Sequence, residues 1–328
     1  MSSKSICNET GENRMTTAFV RPDTQALLDI AAAAQAVPMD QMEPVAAREA
    51  YVAMRFLFDV EPTELAVVKD LTCPGPAGEI KLRYYDKREN REKGPAILFY
   101  HGGGFVIGDL ESHDPYCSEM AAQMDLPLIA VDYRLAPEAP FPAAPDDCEA
   151  ATRWIVENAP DALGIEIDGI ITCGDSAGGN LAIVVAQDLA KNPAAAPVIA
   201  QVPIYPVTDS TASGGSMDEF AEGFLLTKAS MDYFHHHYAG VAGDPRCDPI
   251  HGDLASSPPT VLITGGLDPL RDQGRAYGAK LIEAGVPVMF QEAKGNIHGL
   301  ISIRKGIPSS QQDVDGICNA LKATLAAL

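Results

Sequence analysis

Residues 169–190 read GIITCGDSAGGNLAIVVAQDLA, and the order of residue types in this stretch decides the fold. A short apolar, β-branched run ends at Gly174; Ser176 follows among small residues, and a helical pattern starts immediately at Ala177. Strand, tight turn and helix in that order are the setting in which a G-x-S-x-G pentapeptide makes a nucleophile elbow. The turn imposes strained dihedrals on the serine, so its neighbours must lack side chains, and Gly174 and Gly178 meet that demand. The Ser176 hydroxyl is then raised above the end of a sheet. The N–H of Ala177, at the helix start, points toward any negative charge that develops there. An ordinary glycine-rich turn is the competing reading of the pentapeptide alone; the flanking strand and helix speak against it.

Working outward, the runs AILFYH (96–101), LPLIAVDY (126–133), PVIAQVPIY (197–205), PTVLITGG (259–266) and VPVMFQEA (286–293) share the short, continuously apolar character of residues 169–174. Helical patterns over 143–158, 177–191 and 272–284 alternate with them, and a last helix carries Leu321 and Leu325 on one face. Strands buried on both faces and alternating with helices predict an α/β fold built on a mostly parallel, doubly wound sheet, with helices on both faces. The sheet is expected to begin near Leu65, and EIKLRYYD (79–86) alternates as a strand wetted on one face does. Two stretches fall outside this alternation. Residues 22–37 and 44–58 each open on a proline and repeat apolar residues at helical spacing before the first strand. Residues 207–250 form an insertion too long for a simple crossover, at the carboxyl end of a strand, where insertions cover active sites. Residues 18–58 and 207–245 are therefore expected to form a helical cap on a single domain spanning 18–328. The polar residues 1–17 are expected to be a flexible leader, with Met15 an alternative start.

Three further signals carry chemistry. His101-Gly102-Gly103-Gly104-Phe105 directly follows the run AILFY; its glycines leave backbone amides free to approach a substrate, so Gly103, Gly104 and Ala177 are the expected oxyanion donors. No lysine or suitably spaced helix start follows, which argues against a phosphate loop. His101 reads as a residue that holds the loop. A base for the serine belongs after the last strand and an acid after the one before it. His298 and Asp268 stand at those places, His298 to move the proton and Asp268 to hold the imidazole tautomer. Asp272 is the rival acid but reads as a helix N-cap. His235, His236 and His237 are successive on a helical pattern, where side chains diverge by about 100° and do not converge on one metal. His113 and His251 carry no functional reading as lone loop histidines.

Bulk composition bounds the partners. Lys plus Arg number 24 against 45 Asp plus Glu, a net charge of −21 that repels nucleic acid and anionic membranes. The 7 cysteines are odd in number and contain no CxxC pair, which argues against a disulfide framework and a zinc site and fits a reducing, cytoplasmic compartment. No apolar run reaches bilayer-spanning length, and the first residues lack the apolar core of a signal peptide.

The segments HGGGF (101–105), DYRLAPE (132–138), FPAAPDD (141–147), GDSAGGN (174–180), YP (205–206), DPLRDQG (268–274) and IHG (297–299), in that order, resemble the hormone-sensitive-lipase-like (family IV) bacterial esterases of the α/β-hydrolase fold. The resemblance implies hydrolysis of short- to medium-chain acyl esters by Ser176, Asp268 and His298, without metal or cofactor. It also implies oxyanion donors at Gly103, Gly104 and Ala177, a cap, and dimers formed through the last strand. Phe105 and Tyr205 would line the pocket, and Glu138 would be a structural partner near the serine loop. Residues 207–245 and CDPIHGD (247–253) depart from the family pattern, so the acyl and alcohol groups stay open. A lactonase or amidase would use the same machinery. A non-catalytic ligand receptor on this scaffold would lack the base, and here His298 is intact.

Overall fold

The computed structural model describes residues 18–34 and 36–328, together with the backbone of two short antiparallel segments, Ser5–Cys7 and Asn13–Met15. The leader expected over 1–17 otherwise lies outside the described residues. The apolar runs become strands of one sheet: β1 (Val67–Gly75), β2 (Gly78–Asp86), β3 (Gly94–Tyr100), β4 (Leu128–Asp132), β5 (Ile167–Asp175), β6 (Val198–Ile204), β7 (Thr260–Leu267) and β8 (Val288–Ile297). Their order across the sheet is β8-β7-β6-β5-β3-β4-β2-β1. Every pair from β8 to β4 is parallel, and β4–β2 and β2–β1 are antiparallel. The residue patterns follow from this placement. β7 is buried throughout, whereas β2, near the edge, alternates over its first half.

Helices α1 (Pro22–Ala33) and α2 (Pro44–Phe58) precede the sheet; α3 (Asp114–Met124), α4 (Ala143–Leu163), α5 (Ala177–Lys191), the short α6 (Ser216–Glu219), α7 (Lys228–Tyr238), α8 (Arg271–Glu283) and α9 (Ser310–Ala326) follow. Tyr116 and Met120 of α3 share an apolar cluster with Val314, Ile317 and Leu321 of α9 on one face of the sheet. On the other face, Cys148 and Ala151 of α4 pack with Leu181 and Val185 of α5. Helix α3 carries no clean period in sequence because it buries Tyr116, Cys117, Ser118, Met120, Ala121 and Met124, more than one stripe. Helix α4 continues past residue 158 through Pro160 and closes at Gly164 with φ 72°, a left-handed cap that suits glycine.

Strand order reverses at β3: the chain leaves it through α3 to β4 on one side and returns through α4 to β5 on the other. A crevice opens at such a switch point beyond the carboxyl ends of the strands. Tyr100 of β3 pairs with Gly174 of β5, so the glycine loop and the serine turn leave the sheet side by side.

The N-terminal helices are tied to the far end of the chain. Arg21 makes a two-pronged ion pair with Asp313 at 2.7 and 2.8 Å. Phe58 O accepts Lys305 N and Gly306 N at 2.9 Å each, and buried Arg304 bonds Asp59 at 3.0 Å. Leu27 and Leu28 of α1 pack with Phe220, Phe224 and Ile307. Among the described residues no helix is long and apolar enough to cross a membrane.

Candidate active site

The turn at Ser176 is as tight as its composition requires. Ser176 has φ 54° and ψ −115°, a region costly for any residue with a β-carbon. The turn is held by Ser176 N donating to Ile204 O at 2.9 Å and by Asn180 N donating to Ser176 O at 3.0 Å. A β-carbon on Gly178 would lie 1.9 Å from Tyr100 O, so this helical residue has to be glycine for β3 to come close.

His298 follows β8 and Asp268 follows β7. The His298 Nε2 is 2.9 Å from Ser176 Oγ, and its Nδ1 is 2.7 Å from Asp268 Oδ2. Asp268 is fully buried, and its other oxygen accepts Leu270 N at 2.8 Å, which fixes the carboxylate plane. Asp272 lies elsewhere. It sits inside the first turn of α8 rather than at the N-cap, accepts Ser216 N at 2.9 Å and pairs with Arg271 and Arg275.

The glycine loop is bent by three successive left-handed residues, Gly103 (φ 113°), Gly104 (φ 60°) and Phe105 (φ 64°). Gly103 and Gly104 face the same cavity as Ser176, and Ala177 opens α5, where an N–H has no intrahelical acceptor. Gly104 packs directly beneath the Phe234 ring of α7, and the Phe105 ring stacks on Tyr238 at 3.8 Å. His101 holds this loop as expected. Its ring stacks on Tyr133 at 4.3 Å, its Nδ1 is 2.7 Å from Gly102 O, and burial, helped by nearby His113, pushes its pKa down to about 4.

Behind the serine lies a buried ionic cluster with no counterpart in the sequence reading. Asp175 Oδ1 accepts Gly102 N at 2.7 Å and lies 3.1 Å from His113 Nε2, while His113 Nδ1 meets Ser112 Oγ at 2.9 Å. Burial opposes both charges. It is outweighed by their mutual attraction, with the Gly102 N–H adding to the carboxylate and Asp109 and Asp59 to the imidazole. The Asp175 carboxyl is therefore held below its usual range and His113 is held above its own. His113, which reads as a lone loop histidine, is thus a buried partner of the residue beside Ser176. The only sequence signal for the pair was the acid inside GDSAG.

The cavity above these groups has a volume of about 800 Å³. Its walls include Met54, Met217, Leu225, Leu226, Met231 and Phe234, drawn from the two segments 18–58 and 207–245. Phe105 lies on the wall, but Tyr205 does not. Its ring rests 4.5 Å from the His298 ring and its hydroxyl 3.4 Å from Asp175 Oδ2, behind the site, because its backbone is pinned to β7 by Tyr205 N donating to Ile263 O. Glu138 is also placed differently. It pairs with Arg48 of α2 rather than with the serine loop. His235, His236 and His237 fall on α7, and among the described residues no group of histidines, cysteines and acids gathers as a metal site.

Comparison with known proteins agrees with this geometry. A family described as the alpha/beta hydrolase fold matches residues 97–302. The chain belongs to this α/β-hydrolase family, in the hormone-sensitive-lipase-like branch whose motifs it carries. Within that branch it is similar to the carboxylic ester hydrolase LipN of Mycobacterium tuberculosis, 39% identical over 79% of this chain and 71% of the relative. The ethyl acetate hydrolase of Pseudomonas putida is 35% identical over 93% of this chain and 99% of that protein. Among solved structures, the ester-hydrolase EH1AB1 from the Lake Arreo metagenome superposes with a TM-score of 0.86 at 37% identity, covering 94% of this chain and all of that one.

Proposed function

We propose that this carboxylic-ester hydrolase cleaves short- to medium-chain acyl esters through an acyl-enzyme formed on Ser176. The carrying observation is the continuous hydrogen-bonded chain Ser176 Oγ–His298 Nε2 and His298 Nδ1–Asp268 Oδ2, at 2.9 and 2.7 Å, at the floor of an apolar-walled cavity. In this arrangement Nδ1–H donates to Asp268 and Nε2 accepts the serine proton. Ser176 Oγ attacks the ester carbonyl carbon, and the oxygen that gains charge is received by the N–H groups of Gly103, Gly104 and Ala177. As the intermediate collapses, the C–O bond to the alcohol breaks and His298 returns the proton to that oxygen. Water, deprotonated by His298, then attacks the acyl carbon; the acid leaves and the proton goes back to Ser176.

Residues 18–58 and 207–245 act as the cap, a reading supported by their shared share of the cavity wall. A cytoplasmic location is supported by six cysteines, each an unpaired buried thiol among the described residues. Pairing of two copies through β8 is supported by its edge position and by the exposed Met289, Phe290 and neighbouring Ile282. Turnover of 4-nitrophenyl butyrate by Ser176→Ala tests the central reading. The variant should be inactive and unlabelled by an organophosphonate; undiminished turnover defeats the assignment.

A further inference from the structure

One cation in the cavity wall has no assigned work. Arg55, in the last turn of α2, is 8% exposed and is the only lysine or arginine among the described residues lining the cavity. Every other arginine in residues 18–34 and 36–328 donates a hydrogen bond to a carboxylate. Arg55 does not. The nearest acid oxygen is Asp114 Oδ2 at 3.8 Å, beyond hydrogen-bond reach. The other oxygen of that carboxylate is already taken by Tyr85 Oη at 2.7 Å and Arg83 Nη1 at 3.3 Å. Asp59, one turn away, is committed to Arg304. Stacking of the guanidinium on Phe56, 4.4 Å from the ring centroid, offsets only part of the lost hydration.

A largely buried guanidinium that makes no hydrogen bond and only a long ion pair is under-satisfied, and a ligand in the cavity could supply the acceptors it lacks. A second wall residue points the same way. Ser302 Oγ is buried with no hydrogen-bond partner. The turn that follows Ser302 is bonded to the end of α2 through Lys305 N and Gly306 N on Phe58 O, which brings the serine and Arg55 to one side of the cavity. The acids of the wall are engaged or lie at its rim: Asp175 with His113, Asp232 with Lys228, Asp209 with Thr211, and Asp40 and Glu222 only half-buried or exposed.

Resting on the ester-hydrolase reading, we infer that the preferred substrate carries a carboxylate, which Arg55 binds through its planar fork while Ser302 donates a further hydrogen bond. That group lies either on the acyl part, as in a half-ester of a dicarboxylic acid, or on the alcohol part, as in the ester of a hydroxy acid.

Two substrate pairs separate these sources: 4-nitrophenyl hemiglutarate against 4-nitrophenyl pentanoate, and 4-acetoxybutanoate against butyl acetate. The readout is the ratio of kcat/KM, anionic to neutral, in the wild-type protein and in Arg55→Met, Arg55→Lys and Ser302→Ala. In one pair the ratio should fall about ten- to hundredfold in Arg55→Met, the size of a charge-assisted hydrogen bond, with smaller falls in the other two. Equal ratios in wild type and Arg55→Met for both pairs overturn the inference. Should Arg55→Met not fold, the wild-type ratios decide: a strong preference for the neutral member of both pairs overturns it, and a preference for either anionic member supports it. No turnover of any of the four esters defeats the hydrolase reading and this one together. Turnover of the neutral esters alone defeats only this one.

Discussion

Asp175 Oδ1 accepts the backbone N–H of Gly102 at 2.7 Å, so the residue immediately before Ser176 fastens the glycine loop that faces it. The contact is close enough that a β-carbon at Gly102 would lie 2.4 Å from the same carboxylate. Two motifs more than seventy residues apart in sequence are thus tied together, and the proposed oxyanion donors inherit their position from the neighbour of Ser176.

That linkage has a kinetic consequence. Asp175→Ala should lower kcat by about 10²–10³-fold, the loss expected when one oxyanion donor is misplaced, with a smaller effect on KM. Steady-state kinetics on 4-nitrophenyl butyrate will show it; a change confined to KM would mean that the loop holds itself.

The His113–Asp175 pair should make stability depend on pH. The pKa of His113 is raised above its ordinary 6.5, so its contribution is complete below that pH and is lost as pH climbs through the raised value. The pKa of Asp175 is lowered from 3.8, so its contribution is complete above that pH and is lost as pH falls through the lowered value. His113→Gln should cost about 3–5 kcal/mol between those limits, because it leaves a buried carboxylate unpaired. Urea titrations of both proteins at acid, neutral and alkaline pH should converge on the alkaline side; parallel curves would remove the pair from the account.

Gly178→Ala should be far more damaging than a helical Gly-to-Ala exchange usually is. Alanine favours helices, yet here its methyl would sit 1.9 Å from Tyr100 O and 2.6 Å from His101 O, both backbone atoms that cannot rotate away. A loss of about 1–3 kcal/mol or more is expected, together with loss of activity, whereas Gly94→Ala, with open space around it and no left-handed φ, should remain soluble and active.

Arg48 should matter more than its partner Glu138. It donates to Val106 O at 2.8 Å and Ala136 O at 2.9 Å as well as to the carboxylate, so Arg48→Met strands two backbone carbonyls that Glu138→Gln leaves bonded. The Arg48 hydrogen bonds lower the Glu138 pKa from 4.5 to about 2. Because Glu138 is 58% exposed, the ion pair itself is worth no more than about 1 kcal/mol, present above pH 4.5 and lost as pH falls toward 2. Thermal melts of both variants at pH 7 should rank Arg48→Met below Glu138→Gln.

Asp268→Asn should keep the fold and lower kcat by about 10⁴-fold, because an amide in that place favours the wrong imidazole tautomer. Near-normal kcat would move the acid role elsewhere.

The sheet was legible because its strands are buried on both faces, which writes continuous apolar runs such as residues 169–174 and 259–266 that no surface element shows. The meeting of Ser176, Asp268 and His298 was legible because each follows a strand end, where this fold would place the proposed nucleophile, acid and base. Helix α3 was not, since burial around most of its circumference leaves no period to read. The family resemblance implies a place on the wall for Tyr205, but just past β6 its position goes with the backbone bond to Ile263 on the neighbouring strand.

From residue order alone the chain's fold class, its family branch and the three groups joined at the serine are determined, since local pattern and strand ends depend on neighbours in sequence. Only the folded molecule decided which distant charges meet. His113 came to Asp175, Glu138 went to Arg48, and Arg55 was left on the cavity wall with only a long ion pair to Asp114. Ion pairing across tens of residues is settled by how layers pack, and a charged residue carries no sequence mark of the partner that packing will give it.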